Sequence, residues 1–144
     1  MMMISTKGRY ALRVLIDMAE HQSEGYVPLK EIAQRQEISE KYLESIVKTL
    51  VKGGVLTGLR GKGGGYRLSK SPDQCTVGTV LRMTEGSLSP VACLEPGAAP
   101  CGKASACRTY RMWKGLDTVI GGCLDGFTIA DLMQVEQPGD FYVI

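Results

Sequence analysis

The sequence predicts a mainly α-helical chain built as a winged helix-turn-helix, with a small β-hairpin wing and a long C-terminal helix suited to dimerisation. Three observations carry this. Two short amphipathic segments, about Leu29 to Gln34 and Ser39 to Val51, follow each other with only a tight turn between them. A glycine-rich run, Gly61-Lys62-Gly63-Gly64-Gly65, separates two strand-like pieces. Near the end, Tyr110, Trp113, Leu116, Ile120, Cys123 and Leu124 recur at three- and four-residue steps, close to a heptad seam.

Taken in order, Ser5 or Thr6 caps a first helix. Tyr10, Ala11, Val14, Leu15, Met18 and Ala19 form its apolar face. Pro28 sits where a helix start tolerates proline. The second helix turns Leu29, Ile32 and Ala33 inward, and a turn follows at Gln36 and Glu37. Ser39 caps a third helix with Leu43, Ile46, Val47, Leu50 and Val51 on one face, which the Gly53-Gly54 pair ends.

The strand pieces are residues 55–60 and 66–68. Between them the glycines supply backbone angles that other residues avoid, as a hairpin tip needs. Ser71-Pro72-Asp73 breaks the chain, and Thr76 to Thr84 forms a further helix with Val77, Val80 and Leu81 inward. An irregular loop holding Pro90, Pro96, Gly97, Pro100 and Gly102 runs from Glu85 to about Lys103. The long helix is expected from Ala104 or Ser105. Its stripe suits dimerisation, the competing reading being packing on its own domain. Thr128 caps a last short helix with Ile129, Leu132 and Met133, and the tail Phe141-Tyr142-Val143-Ile144 is apolar. The expected division is a winged helix-turn-helix domain at residues 1–84, a cysteine-containing loop at 85–104, and a dimerisation helix with tail at 105–144.

Composition narrows the function classes. The chain has 144 residues, 44% of them hydrophobic, which suits a globular protein. No apolar run approaches the ~20 residues of a membrane span, and the apolar start is too short for a signal peptide. A soluble cytoplasmic protein is expected. Residues 1–72 carry 12 Lys/Arg against 7 Asp/Glu, whereas the second half is net acidic. A basic first half suits a polyanion such as DNA, and equally an uneven solvated surface. There is no Cys-x-x-Cys, no nucleophile–base pair and no phosphate-cradling loop at a strand-to-helix turn, so an enzyme is not expected.

Three segments carry a resemblance: Ser5-Thr6-Lys7-Gly8-Arg9-Tyr10-Ala11, Ser39-Glu40-Lys41-Tyr42-Leu43-Glu44, and Arg60-Gly61-Lys62-Gly63-Gly64-Gly65-Tyr66. In this order and spacing they resemble the Rrf family of bacterial winged-helix transcription regulators, over nearly the whole chain. The resemblance implies a homodimer that binds a partly palindromic double-stranded DNA operator.

In that frame the third helix enters the major groove, where base edges are distinguishable. Lys41, Glu44 and Ser45 are the expected base-side contacts, and the Tyr42 hydroxyl is placed to meet phosphate. Lys41 and Glu44 can also be ordinary surface charges, and Tyr42 a core residue. Glu44 accepts from cytosine and repels the acceptor edge of guanine, so it can select by exclusion. The matching glutamate of the family's iron–sulfur regulators is implicated in switching between operator classes. Arg60 is expected in the minor groove with Lys62 behind it. Lys7 and Arg9 would add phosphate contacts.

Cys93, Cys101 and Cys107 match the three cysteines with which some family members hold a 2Fe-2S cluster, and thiolates are the usual ligands of such clusters. The fourth ligand departs from the pattern. The expected histidine three residues after the last cysteine is Tyr110 here. First-helix positions that serve in other members correspond to Arg9 and Arg13, cations that cannot ligate. Reduced or oxidisable thiols and a zinc site are the alternatives. Cys123 is expected as a small buried hydrophobe, while Cys75 has no evident partner. Members without the cysteine set work with cysteine synthase, and the apolar tail, with Phe141, Tyr142 and Ile144, is similar to theirs.

Overall fold

A computed structural model describes residues 4–22, 25–99 and 107–133. Helix α1 (Thr6–Glu20) is followed by α2 (Leu29–Gln36) and α3 (Glu40–Lys52), then by strands β1 (Leu56–Leu59) and β2 (Gly65–Leu68). Helices α4 (Val77–Glu85), α5 (Tyr110–Asp125) and α6 (Ile129–Met133) complete the described chain.

Helices α1, α3 and α4 start where hydroxyl side chains satisfy one of their first N–H groups. The Gly8 N–H donates to Ser5 Oγ at 3.0 Å, the Tyr42 N–H to Ser39 Oγ at 3.2 Å, and the Thr79 N–H to Thr76 Oγ1 at 3.1 Å. The apolar faces then meet. Ala11, Val14, Leu15 and Met18 of α1 are closed off from solvent together with Ile32 of α2 and Leu43, Ile46, Val47 and Leu50 of α3. Burial of this kind contributes about 25 cal/mol per Å² of apolar surface. Val51, expected on the same face, lies instead at its edge and is 39% exposed. It sits about 40° beyond Val47 around the helix axis, where it lines the cleft beside the wing.

β1 and β2 pair antiparallel with Leu56 opposite Leu68 and Leu59 opposite Gly65. The hairpin is tied to the rest by a pairing that no periodic pattern announces. The Val27 N–H donates to Tyr66 O at 2.8 Å, and the Tyr66 N–H to Val27 O at 2.9 Å. This fixes the wing against the entry to α2. Gly65 makes the approach possible, because its φ is +151° and a Cβ there would collide with the Val27 carbonyl.

α6 returns to α1 rather than trailing from α5. Ile129 is fully buried in the α1 core. The Val77 N–H donates to Phe127 O, and the Ile129 N–H to Cys75 O, both at 2.9 Å.

α5 begins later than the sequence suggests. Residues 107–109 are not helical, and the first intrahelical bond runs from the Trp113 N–H to Thr109 O at 3.1 Å. Thr109 precedes the helix without a side-chain cap hydrogen bond. Ala104 and Ser105, and the tail with Phe141, Tyr142 and Ile144, lie outside the described residues. The described part of the loop after α4 contains a 3₁₀ turn, Ala92–Leu94. Among the described residues, no helix is long and apolar enough to cross a membrane.

Candidate nucleic-acid interface

α3 packs on the core through Leu43, Ile46, Val47 and Leu50, so the opposite side faces solvent. At 3.6 residues per turn, Lys41, Ser45, Lys48 and Lys52 fall in one line along that side. All four are exposed. Glu44 and Glu40 lie on the flank toward the wing, and Tyr42 on the flank toward α1. Lys48 and Lys52 were missed at the sequence level, although their spacing of seven and eleven from Lys41 is the signal that finds them. Ser45 Oγ donates to Tyr42 O at 2.8 Å, so its lone pairs remain free to accept.

The wing stands beside this helix. Arg60 and Lys62 are exposed at its tip, where Gly61 and Gly63 hold φ of +94° and +77°. Between α3 and the wing lies a cleft of about 810 Å³.

The first helix braces the third. The Tyr10 and Tyr42 rings meet edge to face, centroids 6.0 Å apart and planes at 72°. Tyr42 is therefore neither core nor free: it is 36% exposed and held against the Tyr10 ring. On the other side of Tyr10, the Arg13 guanidinium stacks 4.8 Å from the ring centroid. Arg13 also donates from Nη2 to Gln36 O at 2.7 Å and from Nε to Gln36 Oε1 at 3.2 Å. Arg13 thus clamps the end of α2 just before the turn into α3.

Gln36 Nε2 in turn donates to the buried Asp17 carboxylate at 2.9 Å, which Arg35 grips with two further bonds. Burial pushes the Asp17 carboxyl up. The hydrogen bonds from Arg35 and Gln36, with the charges of Arg35 and His21, outweigh it and leave the group below the ordinary aspartate range. Sequence reasoning missed this network, because an acid on an amphipathic helix looks like a surface residue. Arg9 is exposed next to Tyr10, its Nη2 donating to Thr6 Oγ1 at 3.1 Å, and Lys7 is half-buried one turn before Ala11.

Residues 4–135 match the Rrf2 family, described as iron-dependent transcriptional regulators. The chain belongs to this family. It is 39% identical over 142 residues to the transcriptional regulator IscR of Aliivibrio salmonicida, covering 96% of this chain and 83% of that one. Among solved structures it is similar to CymR, the global cysteine regulator of B. subtilis. That match has 38% identity and a TM-score of 0.69, over 92% of this chain and 97% of the other. It is also similar to T. potens IscR, at 32% identity and a TM-score of 0.69, over 97% and 96%. As an Rrf2 member the chain is a winged-helix DNA-binding transcriptional regulator and not an enzyme.

The Rrf2 chain's cysteines fall in several settings. Cys93 sits in the 3₁₀ turn after α4 and Cys107 directly before α5, both exposed. Cys101 lies outside the described residues. Cys107 Sγ is 3.5 Å from Thr109 Oγ1, and that hydrogen bond, with those of the Thr109 and Tyr110 backbone, pulls its thiol below the ordinary range. Tyr110 is the first residue of α5, half-buried. Among the described residues, no three His, Cys, Asp or Glu side chains are grouped closely enough to hold a metal ion. Cys75 is buried, and burial pushes its thiol up.

Cys123 is exposed, contrary to expectation, because α5 carries two apolar stripes rather than one. Trp113, Ile120 and Leu124 are half-buried, with Leu124 against Val77, Leu81 and Leu88. Met112, Leu116, Val119 and Cys123 repeat at steps of four, three and four on a second face and stand in solvent, Val119 at 67% exposure. Met112 and Val119 were absent from the stripe read from sequence.

Proposed function

We propose that this regulator works as a homodimer on a partly palindromic DNA operator, and that its affinity for that operator follows the state of the cysteine segment. The observation carrying the DNA contacts is the line Lys41, Ser45, Lys48 and Lys52 on α3, flanked on one side by Tyr42 and on the other by Glu44 and the wing. In this reading α3 enters the major groove with Lys41, Glu44 and Ser45 toward base edges, and Tyr42 meets phosphate. Arg60 and Lys62 follow the minor groove, and Lys7 and Arg9 add phosphate contacts. DNA as partner places the protein in the cytoplasm.

The homodimer is supported by the second face of α5, an apolar stripe that no described residue covers. Residues 1–84 then form the DNA-binding unit together with α6, 85–104 the sensing loop, and α5 the dimer helix.

For the effector, the donor set fits an iron–sulfur cluster. Cys93 and Cys107 present exposed thiols at the two ends of the segment that contains Cys101. These three would hold a 2Fe-2S cluster, with Tyr110 at the position of the fourth ligand. When bound, such a cluster supplies a redox- and iron-dependent charge beside α5. Anaerobic purification followed by a visible spectrum and iron and sulfide analysis tests this. A charge-transfer band lost in Cys93→Ala or Cys107→Ala is expected. A colourless protein after reconstitution leaves thiol oxidation. Selection from a random duplex library tests the DNA reading, which expects an enriched, partly palindromic sequence.

A second reading, control by a protein partner such as cysteine synthase, is favoured by the similarity to the global cysteine regulator. Capture of cysteine synthase by the full chain, lost on removing the last six residues, would support it.

A further inference from the structure

The start of α1 is fastened to the root of the cysteine segment. Glu85 is the last residue of α4, and its Oε1 accepts from the Ser5 N–H at 3.1 Å and from Ser5 Oγ at 2.7 Å. Ser5 Oγ is the atom that accepts from the Gly8 N–H, so the cap of α1 is itself held from α4. The approach is close: a Cβ at Gly8 would collide with Glu85 Oε1. A carboxylate there also complements the positive end of the helix dipole. Glu85 makes no ion pair among the described residues, so Ser5 is its long-range attachment.

Both sides of this clasp lead further. Leu88, three residues after Glu85, is buried with Val77 and Leu81, and Ile4, directly before Ser5, packs on the same cluster. Ser89 Oγ donates to Leu94 O at 3.1 Å, which ties the 3₁₀ turn carrying Cys93 to that root. Leu124 of α5 reaches the cluster as well, so the helix that follows Cys107 converges on it. On the other side, Lys7 and Arg9 lie just past Ser5, and the Arg9 N–H donates to Ser5 O at 3.1 Å.

We propose that Glu85 is a positioning residue: its bonds to Ser5 set the Lys7–Arg9 end of α1 for DNA and pass to it the arrangement of the segment that begins at Gly86. The proposal rests on the DNA-binding reading above and concerns its regulation. Glu85 itself touches no DNA. The clasp has two states, engaged and released, and coupling between distant sites requires such an element. A displacement of the Cys93 turn acts on Leu88 and Glu85 together, and Lys7 and Arg9 follow Ser5. Coupling is reciprocal, so seating Lys7 and Arg9 on phosphate alters the surroundings of Cys93.

Phosphate contacts need no operator, so the probe is a short duplex of random sequence, titrated with the full chain across a salt series. Each contact contributes about 0.9 to the slope of log affinity against log salt. Glu85→Ala lacks the acceptor, and its slope is expected to be shallower by about 0.9–1.8 per protomer, the share of one or both of Lys7 and Arg9. Glu85→Gln keeps an acceptor oxygen for Ser5 and is expected to restore the parental slope. In a Lys7→Ala/Arg9→Ala background, Glu85→Ala is expected to have no further effect, which general damage to the fold would not reproduce. A fluorine tag on Cys93, in a chain carrying Cys101→Ser, Cys107→Ser and Cys123→Ser, reads the reverse direction whatever the cysteines bind. Its resonance should move when duplex is added, and should stay in place once Glu85→Ala is introduced.

A parental slope in Glu85→Ala overturns the positioning role and leaves DNA binding intact. A shallower slope shared by Glu85→Gln, or a further loss in the Lys7→Ala/Arg9→Ala background, overturns it in favour of a general role in folding. A tag on Cys93 that ignores the duplex overturns the link to the cysteine segment. A parent chain that fails to bind duplex DNA at low salt overturns the DNA reading itself.

Discussion

Asp17 and Arg35 face each other across the α1–α2 boundary in a two-pronged pair, Nε to Oδ2 at 2.9 Å and Nη2 to Oδ1 at 2.7 Å. Asp17 is 3% exposed, whereas Arg35 keeps about a third of its side chain in solvent. Gln36 ties the same carboxylate to Arg13, so one buried acid holds both the end of α2 and the brace behind Tyr42.

Asp17→Asn keeps the shape and removes the charge. The expected cost is about 1.5–3 kcal/mol, that of hydrogen bonds to a charged group. The pH dependence has a definite sign. The folded-state pKa lies below the unfolded one, so this stability is fully present above the ordinary aspartate range and fades as pH falls through the depressed value. The parent should lose stability below about pH 4. Asp17→Asn should be less stable at neutral pH and show a shallower acid loss. Urea unfolding at neutral and acid pH checks both.

Much of this architecture is legible in the sequence, for a physical reason. The α1, α3 and α4 stripes are periodic, and the caps Ser5, Ser39 and Thr76 use local chemistry. What was not legible depends on contacts distant in sequence. Val27 pairs with Tyr66 through backbone atoms alone, and Gln36 reaches Asp17 across nineteen positions. The exposed face of α5 needed the fold to reveal which apolar residues the described chain leaves exposed. For the DNA side, Lys41 announced the face while Lys48 and Lys52 were masked among ordinary helix charges.

Arg60 heads the wing, exposed and without an acid partner among the described residues. With the duplex recovered by selection as probe, Arg60→Ala should weaken binding by about 1–3 kcal/mol. The loss should be greatest for sites with a narrow, A·T-rich minor groove, where negative potential concentrates. Fluorescence anisotropy on an A-tract site and its G·C-substituted counterpart separates the two effects. Equal affinity for parent and variant at moderate salt would remove Arg60 from the interface.

Glu44 is exposed on the flank of α3 next to the Lys41–Ser45 line. Its carboxylate disfavours phosphate and the acceptor edge of guanine, so it acts by exclusion. Glu44→Ala should therefore bind more sequences rather than fewer. A repeated library selection should yield a degenerate motif at the positions under α3, with discrimination there reduced by about 1–3 kcal/mol. An unchanged motif would assign Glu44 to the solvent.

Val119 stands at 67% exposure between Leu116 and Cys123 on the exposed face of α5, and Leu124 anchors the same helix to its own domain. Arg82 adds to that anchorage, gripping Asp125 from α4 at 2.7 and 3.0 Å. A charge at position 119 can therefore change assembly without disturbing the monomer. In a two-fold interface the same substitution appears on both copies. Each buried carboxylate costs more than the ~1–3 kcal/mol of an unpartnered polar group. Val119→Glu should convert a dimer to a folded monomer in sedimentation analysis, with the parent's melting curve extrapolated to low concentration. Binding to a palindromic site should fall toward that of a single half-site. A dimer that persists unchanged in Val119→Glu would move the interface off this face of α5.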